Sequence, residues 1–598
     1  MSKQHLLFHE IITTVTKCVL MKYSMEATVE QDDIWGSIWQ CLPDDLIIHI
    51  FSFLDCYSLI SASETCRQWR RVALDESLWK DLVGNKVHLP RASLPGCQSW
   101  YDEYKRLCMN VPMIESEILM EHVDEVYHVL FSPSGRYFST TGKDGYVIVW
   151  ELGEPSRLFT KRRVVEPPSY TRFSEFNQSE TKLLVAGMDM EYLFDGFIMI
   201  YEFEKELTEL CKVRVEFPNF RGAWFDDNTF LSMMRIEDEE HGYCLQVCAH
   251  KAKKKVCQHE FSELTRIRHV CHRNDFIRVV DKTKWLKSQG QEDEQMTCET
   301  QSDSSAEKME TENLEDGEDG SVDMCDKCVV LSQTSVDHKC ALYQYNVNSE
   351  ALETEEHGFV CPGILYESDA TIIGTNLSSD HRFLVYNVRQ KVQSRTFSMY
   401  NQNIEVRVYD LQNDVDTGEI YNGAQACGED HVSYIFPAIS KDFIACGSEN
   451  LKGYIWDRRF GILLSELNHE CGVHSQNGVN ATAFCPTDQE ILVTVADDLF
   501  VRVWRSKQKL MDLRLQGKVR VRNEDNTQGE TVEEDAGPSS TQQNNMFSSL
   551  KFDFVEEVTG EADDKKVMCC YGFKHKLRRS KKSEKEKQSN MAVVNITL

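Results

Sequence analysis

The 598-residue chain lacks a hydrophobic run long enough to cross a membrane. Its apolar N-terminal stretch is interrupted by His9, Glu10 and Lys17, which also argues against a secretory signal. We therefore expect no export and no membrane partner, and we interpret the 22 cysteines as reduced thiols. The expected location is the cytoplasm, with the nucleus as an alternative. Translation from Met25 stays open, because the first residues carry no clear helix-capping pattern.

The sequence also lacks the common catalytic motifs. It contains no Walker loop, no G-x-G-x-x-G element after a strand, no H-E-x-x-H pair and no G-x-S-x-G element. We therefore expect a protein that is not an enzyme and that binds no cofactor. Cys325 and Cys328 have zinc-ligand spacing, and His338 and Cys340 follow. Because no second pair lies at the usual distance, we expect no metal.

Positive charge is scarce. The 66 Lys and Arg side chains face 96 Asp and Glu side chains, which gives a net charge of -30. Such a chain repels phosphate backbones, so we expect protein partners and no nucleic acid. With 41% hydrophobic residues most of the chain must fold, and its length exceeds one compact core.

A short helix with an unusually wide apolar surface is predicted in residues 42–55, LPDDLIIHIFSFLD. At 100° per residue its apolar side chains span roughly 160°, whereas one core-facing stripe needs roughly 100°. We therefore expect a second apolar face that contacts a partner. Residues 58–83 keep apolar side chains at steps of three and four, which predicts two or three further short helices. Asp55 is suited to cap the first of these.

From about residue 111 the pattern changes to short strands separated by turns. One unit spaces Thr140, Asp144 and Trp150 by four and six residues. A later unit repeats this spacing, and others end on aromatic or apolar residues. Repeats of this length predict a mainly β fold with about seven propeller blades. The repeated triplet is Thr494, Asp498 and Trp504, and the other unit ends are Tyr201, Leu245, Tyr343, Tyr409 and Trp456.

The polar residues of these units have the composition of a catalytic triad. We interpret His122, Thr140, Asp144 and Trp150 instead as structural residues that link a tight turn to neighbouring strands, since no activated nucleophile accompanies them. Thr494, Asp498 and Trp504 are assigned the same role. We also expect residues 114–119 to close the ring as the outer strand of the last blade, because an open ring leaves strand edges exposed.

Residues 42–79 resemble an F-box, whose pattern is Leu-Pro, an Ile- and Leu-rich helix, Leu-Asp, Cys-Arg-x-Trp and a closing Leu-Trp. An F-box followed by WD repeats resembles the F-box/WD family, and this resemblance covers most of residues 42–507. It implies a small α-helical F-box domain followed by a seven-bladed WD-repeat β-propeller. The matching residues are Leu42, Pro43, Leu54, Asp55, Cys66, Arg67, Trp69, Leu78 and Trp79.

The resemblance implies a non-catalytic substrate-recognition subunit of a cullin-RING ubiquitin ligase. In the family the F-box helix docks onto the S-phase-kinase-associated adaptor, which links it to cullin-1, while the propeller holds a protein substrate for ubiquitination and degradation. Proteins similar to this one are associated with centrosome duplication and growth signalling. The alternative is a non-ligase scaffold for cytoskeletal or vesicle proteins. The residues implied in adaptor binding are Leu42, Pro43, Leu46, Ile50, Phe51 and Leu54.

A second cullin connection is implied by the sequence WDRR at residues 456–459. It is similar to a W-D-x-R signature that, in such propellers, marks docking onto damage-specific DNA-binding protein 1, the adaptor of cullin-4. Trp456 would pack in the blade, Asp457 would orient the next turn and Arg459 would face the adaptor. The alternative is that Trp456 and Asp457 are ordinary blade residues and that Arg459 is a solvated charge.

Residues 576–582 form a basic run with the charge of a nuclear import signal, and Cys569 and Cys570 are interpreted as surface thiols of the tail.

The predicted domain boundaries follow from these assignments. The domains are a flexible extension in 1–36, the F-box in 37–84, a helical linker in 85–112, the propeller in 113–507 with a disordered acidic insert in 288–326, and a disordered tail in 508–598.

Overall fold

The computed structural model describes two compact units, one that includes residues 42–82 and one that begins at Val83. The ranges described are 42–87, 99–190, 195–215, 221–238, 242–254, 267–269, 273–285, 326–334, 339–347, 363–392, 399–428, 433–469 and 478–516.

The first unit is helical, as the apolar spacing predicts. Its helices are α1 (Asp44–Phe51), α2 (Cys56–Ser63), α3 (Arg67–Ala73) and the start of α4 (Glu76–Val87). Asp55 caps α2 by accepting a hydrogen bond from the backbone N–H of Ser58 at 2.8 Å, which confirms its predicted capping role. The indole N–H of Trp79 donates to the carbonyl of Ala73 at 2.7 Å and ties α4 to α3. The unit therefore has three short helices after α1.

The second unit is a seven-bladed β-propeller, which confirms the predicted fold. Two helices flank it, α5 (Trp100–Cys108) and α6 (Lys507–Leu515), capped by the hydroxyls of Ser99 and Ser506. The first strand of each blade contacts the first strands of both neighbouring blades, so these seven strands line the centre.

Each blade is a four-stranded antiparallel sheet. Blade 1 contains β2 (Val126–Phe131), β3 (Tyr137–Gly142), β4 (Tyr146–Glu151) and β5 (Arg157–Arg163). Blade 2 contains β6 (Tyr170–Phe176), β7 (Lys182–Asp189), β8 (Asp195–Phe203) and β9 (Leu207–Val215). Blade 3 contains β10 (Gly222–Trp224), β11 (Thr229–Asp238), β12 (Gly242–Lys251) and β13 (Ile267–His269).

Blade 4 contains β14 (Arg273–Asp281), β15 (Lys327–Thr334), β16 (Cys340–Val347) and β17 (Gly363–Ser368). Blade 5 contains β18 (Thr371–Leu377), β19 (Phe383–Arg389), β22 (Glu405–Asp410) and β23 (Val415–Tyr421), with a small hairpin of β20 (Lys391–Val392) and β21 (Met399–Tyr400) between them. Blade 6 contains β24 (Ala438–Ile439), β25 (Phe443–Cys446), β26 (Lys452–Asp457) and β27 (Leu463–Asn468). Blade 7 contains β28 (Val479–Cys485), β29 (Asp488–Ala496), β30 (Val501–Arg505) and β1 (Ile114–Leu119).

The residues that mark the repeat in the sequence occupy equivalent places. All seven lie in the third strand of their blade, including the two weaker markers in β12 and β16. The acidic insert, residues 288–326, joins the first and second strands of blade 4. Apart from Asp326, it lies outside the described residues, as do the N-terminal extension and residues 517–598.

The ring closes as predicted. β1 pairs antiparallel with β30, with Ile114 opposite Arg505 and Leu119 opposite Val501. The N-terminal strand of the propeller thus supplies the outer strand of its last blade.

Two ion pairs reinforce this closure, and the one between Glu117 and Arg505 is buried. Arg505 pairs with Glu117 at 2.5 Å, and Arg502 pairs with Glu115 at 3.0 Å. Glu117 also accepts a hydrogen bond from the backbone N–H of Ser156 at 2.8 Å, which connects the closing strand to blade 1. Glu117 and Arg505 are 3% and 2% exposed, so loss of either charge leaves the other buried without its partner.

We expect Glu117→Ala to lower the free energy of unfolding of the propeller by about 3 kcal/mol, because it removes the carboxylate that pairs with the buried guanidinium of Arg505. The measurement is thermal and urea denaturation of the full chain. The matched control is Glu121→Ala, since Glu121 pairs with Lys161 at 3.6 Å and is partly exposed, and its loss should cost less than about 1 kcal/mol. Equal unfolding curves for both variants would contradict this account of closure.

Candidate partner-binding surfaces

The exposed apolar surface of the first unit is narrower than the sequence predicts. Leu46 is 48% exposed on α1, and Phe53 is 49% exposed just after the helix ends. The ring of His49 contacts Phe53 edge-on at 5.3 Å between centroids. Together Leu46 and Phe53 form an apolar surface that no described part of their own unit covers, and we call it the Leu46 surface.

The other residues predicted for adaptor binding are placed differently. Ile50 and Phe51 are buried, and the ring of Phe51 packs edge-on against Trp69 at 5.3 Å. Ile50 and Phe51 therefore pack in the core of their own unit and do not lie exposed beside Leu46. Leu42 is also buried, Pro43 is exposed, and Leu54 is half-buried beyond the end of α1. Their role in adaptor binding stays a prediction.

The start of α1 is held against α3 by polar contacts. Gln68 donates one side-chain N–H to the carbonyl of Leu42 and another to the carboxylate of Asp44, both at 3.1 Å, and Arg71 pairs with the same carboxylate. The hydrogen bond from Gln68 and the charge of Arg71 lower the pKa of Asp44. These contacts fix the direction of α1 and hence of the Leu46 surface.

The polar residues of blade 1 form one buried hydrogen-bond chain. The indole N–H of Trp150 donates to the hydroxyl of Thr140 at 3.0 Å, and that hydroxyl lies 2.8 Å from Nε2 of His122. Because the carboxylate of Asp144 can only accept, Nδ1–H of His122 donates to it at 2.9 Å, and in that tautomer Nε2 of His122 accepts the hydroxyl proton of Thr140. Burial opposes ionisation of Asp144, but the hydrogen bond from His122 leaves the pKa of Asp144 lowered overall. Every residue of this hydrogen-bond chain has a structural partner. The hydrogen-bond chain therefore joins strands and contains no exposed nucleophile.

Blade 7 contains a related chain with one residue that the sequence analysis missed. Trp504 donates to Thr494 at 2.8 Å, and Thr494 lies 2.8 Å from Nε2 of His469. Asp498 instead pairs with Arg502 at 2.6 Å. His469 precedes Thr494 by 25 residues, whereas His122 precedes Thr140 by 18. The longer intervening segment hides the equivalence in the sequence.

We expect the blade 7 chain to make the fold sensitive to acid. Burial, followed by the charge of Arg502, lowers the pKa of His469 from 6.5 to about 3. Between these two pH values the unfolded chain binds a proton that the folded chain does not. As the pH decreases, this group therefore lowers the free energy of unfolding by up to roughly 1.4 kcal/mol per pH unit. In urea titrations between pH 6.5 and 4, His469→Gln should depend less on pH than the wild type. An equally steep dependence in both would contradict the assignment.

The WDRR segment lies at the end of β26. Trp456 is buried in blade 6 and donates its indole N–H to the carbonyl of Asn422 at 3.0 Å. Asp457 is fully buried, and its carboxylate accepts the backbone N–H of Phe460 at 2.7 Å, which orders the following turn. Arg459 is only about one-third exposed and pairs with Glu103 at 3.4 Å and with Asp442 at 3.3 Å.

Helix α5 covers this segment through a buried ion network. Arg106 donates to Asp457 at 2.5 Å and makes a two-pronged contact with Glu103 of its own helix. Burial opposes the charge on Arg106, yet the hydrogen bonds of Glu103 and Asp457 raise its pKa, so it stays a cation. We call the set of Glu103, Arg106, Asp442, Asp457 and Arg459 the α5 network. In the sequence analysis Arg459 faces an external partner, whereas the structure pairs it inside its own chain.

The described residues contain no group of three or more side chains that could bind a metal ion. Cys328 lies opposite Asn346 in the β15–β16 pair, and Cys340 lies opposite Thr334. Six register positions separate the two thiols, or roughly 20 Å, which is too far for one ion. Cys325 and His338 lie outside the described residues. Among the described helices, none has the length and apolarity needed to span a membrane.

Comparisons with known proteins agree with this architecture. Residues 39–84 match the F-box-like family model, and residues 115–151 match the model for the WD domain, G-beta repeat. The chain is 26% identical over 544 residues to F-box/WD repeat-containing protein 5 of Mus musculus, covering 78% of this chain and 93% of that protein. The human protein of the same name is 26% identical over 541 residues, covering 78% of this chain and 94% of that protein. A WD repeat-containing protein 26 homolog of Arabidopsis thaliana is 20% identical over 446 residues, which is 72% of this chain and 58% of that protein.

These matches support a general functional class. The chain combines a match to the F-box-like model with a match to the WD-repeat model and is similar to F-box/WD repeat-containing protein 5 over most of its length. Proteins of this architecture are in general substrate receptors of SCF-type ubiquitin ligases, in which the F-box binds the S-phase-kinase-associated adaptor and cullin-1. They are typically non-catalytic.

Proposed function

We propose that this chain, an F-box joined to a WD-repeat propeller, is the substrate-recognition subunit of an SCF-type ubiquitin ligase. The F-box would bind the S-phase-kinase-associated adaptor and so cullin-1, and the propeller would hold a protein substrate. The observation that carries the proposal is the Leu46 surface, which lies exposed within the segment that matches the F-box-like model.

The proposed contribution of this chain to ubiquitin transfer is to position the substrate. The chain would hold a substrate lysine near the thioester of a separately bound conjugating enzyme, which raises the effective concentration of the acceptor amine. No bond is made or broken by a side chain of this protein. The proposal thus assigns binding to both units and catalysis to neither.

We expect the pair Leu46→Glu and Phe53→Glu to lower the affinity for the cullin-1 adaptor at least about tenfold, because two charges replace the apolar centre of the surface. Affinity is measured with purified full chain and adaptor. Leu74→Glu is the matched control, since Leu74 is 45% exposed in the same unit but lies after α3. Unchanged affinity in the double variant, at an unchanged melting temperature, would contradict the assignment.

We also propose a second assembly through Arg459, with damage-specific DNA-binding protein 1 and cullin-4. In the structure Arg459 is engaged by Glu103 of α5 and by Asp442 of blade 6, so an external acidic group must compete with both carboxylates for its guanidinium. Docking of α5 and binding of the cullin-4 adaptor would then oppose each other. This competition is a direct consequence of the α5 network.

The test compares Arg459→Ala with Glu103→Ala. Arg459→Ala should abolish capture of the cullin-4 adaptor, whereas Glu103→Ala should raise it several-fold by releasing one competitor of Arg459. Lys105→Ala, an exposed change on the same helix, is the control. Capture of the cullin-1 adaptor should be equal in all variants. Equal capture of the cullin-4 adaptor by the wild type and Arg459→Ala would remove this assembly from the proposal.

A role in centrosome duplication and a cytoplasmic location, with the nucleus as an alternative, are further proposals that rest on the resemblance to the F-box/WD family. Imaging of the tagged full chain, with centrosome counts after its depletion, tests both. Unchanged centrosome number would remove that role.

A further inference from the structure

Lys284 and His381 meet in the wall of a cavity of about 740 Å³ at the end of the propeller centre where the inner strands finish. Lys284 follows β14 of blade 4, and His381 lies in the turn between β18 and β19 of blade 5. Nζ of Lys284 is 2.9 Å from Nε2 of His381. Both residues are partly exposed. The contact thus joins two neighbouring blades beside a space that holds a small molecule.

The hydrogen bonds of His381 determine which ring nitrogen carries its proton. The backbone N–H of Asp281 donates to Nδ1 of His381 at 3.1 Å. A ring nitrogen that accepts a hydrogen bond carries no proton, so the proton of the imidazole is on Nε2. Burial is the main cause that lowers the pKa of His381 from 6.5 to about 3, so the ring is neutral at pH 7. Nε2–H is therefore a donor that faces Nζ of Lys284.

A charged Lys284 does not fit this contact. An ammonium group has three N–H donors and no acceptor, so two donors would face each other across 2.9 Å. A neutral amine has a lone pair that accepts from Nε2–H of His381, and the same distance is then an ordinary hydrogen bond. The contact therefore favours the neutral amine, which is the nucleophilic form of a lysine side chain.

The charged groups around this contact oppose one another. Glu175 favours a cation on the lysine, but burial raises the pKa of Glu175 to about 7, so its negative charge is only partly present at pH 7. Asp281 also favours a cation, although its carboxylate already accepts two hydrogen bonds from a neighbouring threonine. Arg278 and Lys327 line the same wall and disfavour a further positive charge. The donor contact with His381 decides the balance.

Two neighbouring lysines show the ordinary arrangement. Nζ of Lys282 donates to the side-chain oxygen of Asn346 at 2.8 Å, and Nζ of Lys327 donates to the carbonyl of Phe225 at 2.7 Å. Both partners are acceptors, as an ammonium group requires. Lys282 lies two residues from Lys284 and is also partly exposed, so it is a matched comparison within the same protein.

We propose that Lys284 is a site of acylation by small acyl thioesters. The lone pair of Nζ attacks the carbonyl carbon of the thioester, an amide C–N bond forms, the C–S bond breaks, and the thiol leaves with the proton that Nζ releases. The carbonyl of the new amide then accepts from Nε2–H of His381, so this donor keeps a partner in the product. The cavity provides the space for the acyl group.

The test incubates the purified full chain with the acetyl thioester of N-acetylcysteamine and measures acetylation of each lysine by mass spectrometry. At pH 7 we expect Lys284 to react at least about tenfold faster than Lys282. Between pH 7 and 9 the neutral fraction of an ordinary lysine rises about a hundredfold, and the rate at Lys282 should rise with it. The rate at Lys284 should rise less than about tenfold. A rate at Lys284 no higher than at Lys282, or an equally steep pH dependence, would overturn the proposal.

The variant His381→Asn separates the effect of the contact from that of exposure. Asparagine tolerates the positive φ of 57° at this position, and its carbonyl oxygen accepts from an ammonium group. We expect the rate at Lys284 to fall at least about tenfold at pH 7, with the rate at Lys282 unchanged. The control is Ser379→Ala, an exposed change in the same turn, which should alter neither rate. Undiminished acetylation of Lys284 in His381→Asn would overturn the assigned contact. The comparison of Lys284 with Lys282 in the wild type does not depend on how well this variant folds.

Discussion

The pairing of β1 with β30 is the constraint on which the rest of the propeller depends. Without it, blade 7 has three strands and the ring ends in an unpaired edge. The buried pair of Glu117 and Arg505 fixes this closure, and the contact of Glu117 with Ser156 extends it to the first blade.

The same N-terminal segment also carries the α5 network. Helix α5 ends at Cys108, and β1 begins at Ile114, so the helix is held at blade 6 by ion pairs and at blade 7 by the closing strand. Buried ion pairs are weak evidence for net stability, because desolvation offsets much of their attraction. Their value here is geometric. Once Arg106 and Asp457 are buried as a pair, α5 can take few other positions. The pair therefore determines where the chain enters the propeller.

Periodic features could be predicted from the sequence, and contacts between distant segments could not. The Thr, Asp and Trp spacing predicted the blades because blades 1 and 7 repeat the same hydrogen bond from Trp to Thr, and the closing strand followed from the need to cover an edge. The contact between Arg106 and Asp457 joins residues 351 positions apart, and no repeat in the sequence predicts it. Ile50 and Phe51 were predicted to face a partner because their apolarity is visible in the sequence, whereas the Trp69 ring that covers Phe51 depends on helix packing.

The role proposed for the helical unit and the propeller is that of a receptor that connects a bound protein to a cullin ligase. Sedimentation velocity of an equimolar mixture of the purified full chain and the purified S-phase-kinase-associated adaptor tests it most directly. The account predicts one species with a 1:1 composition at micromolar concentration. Two species that sediment separately, from a chain whose melting curve shows that it is folded, would contradict it.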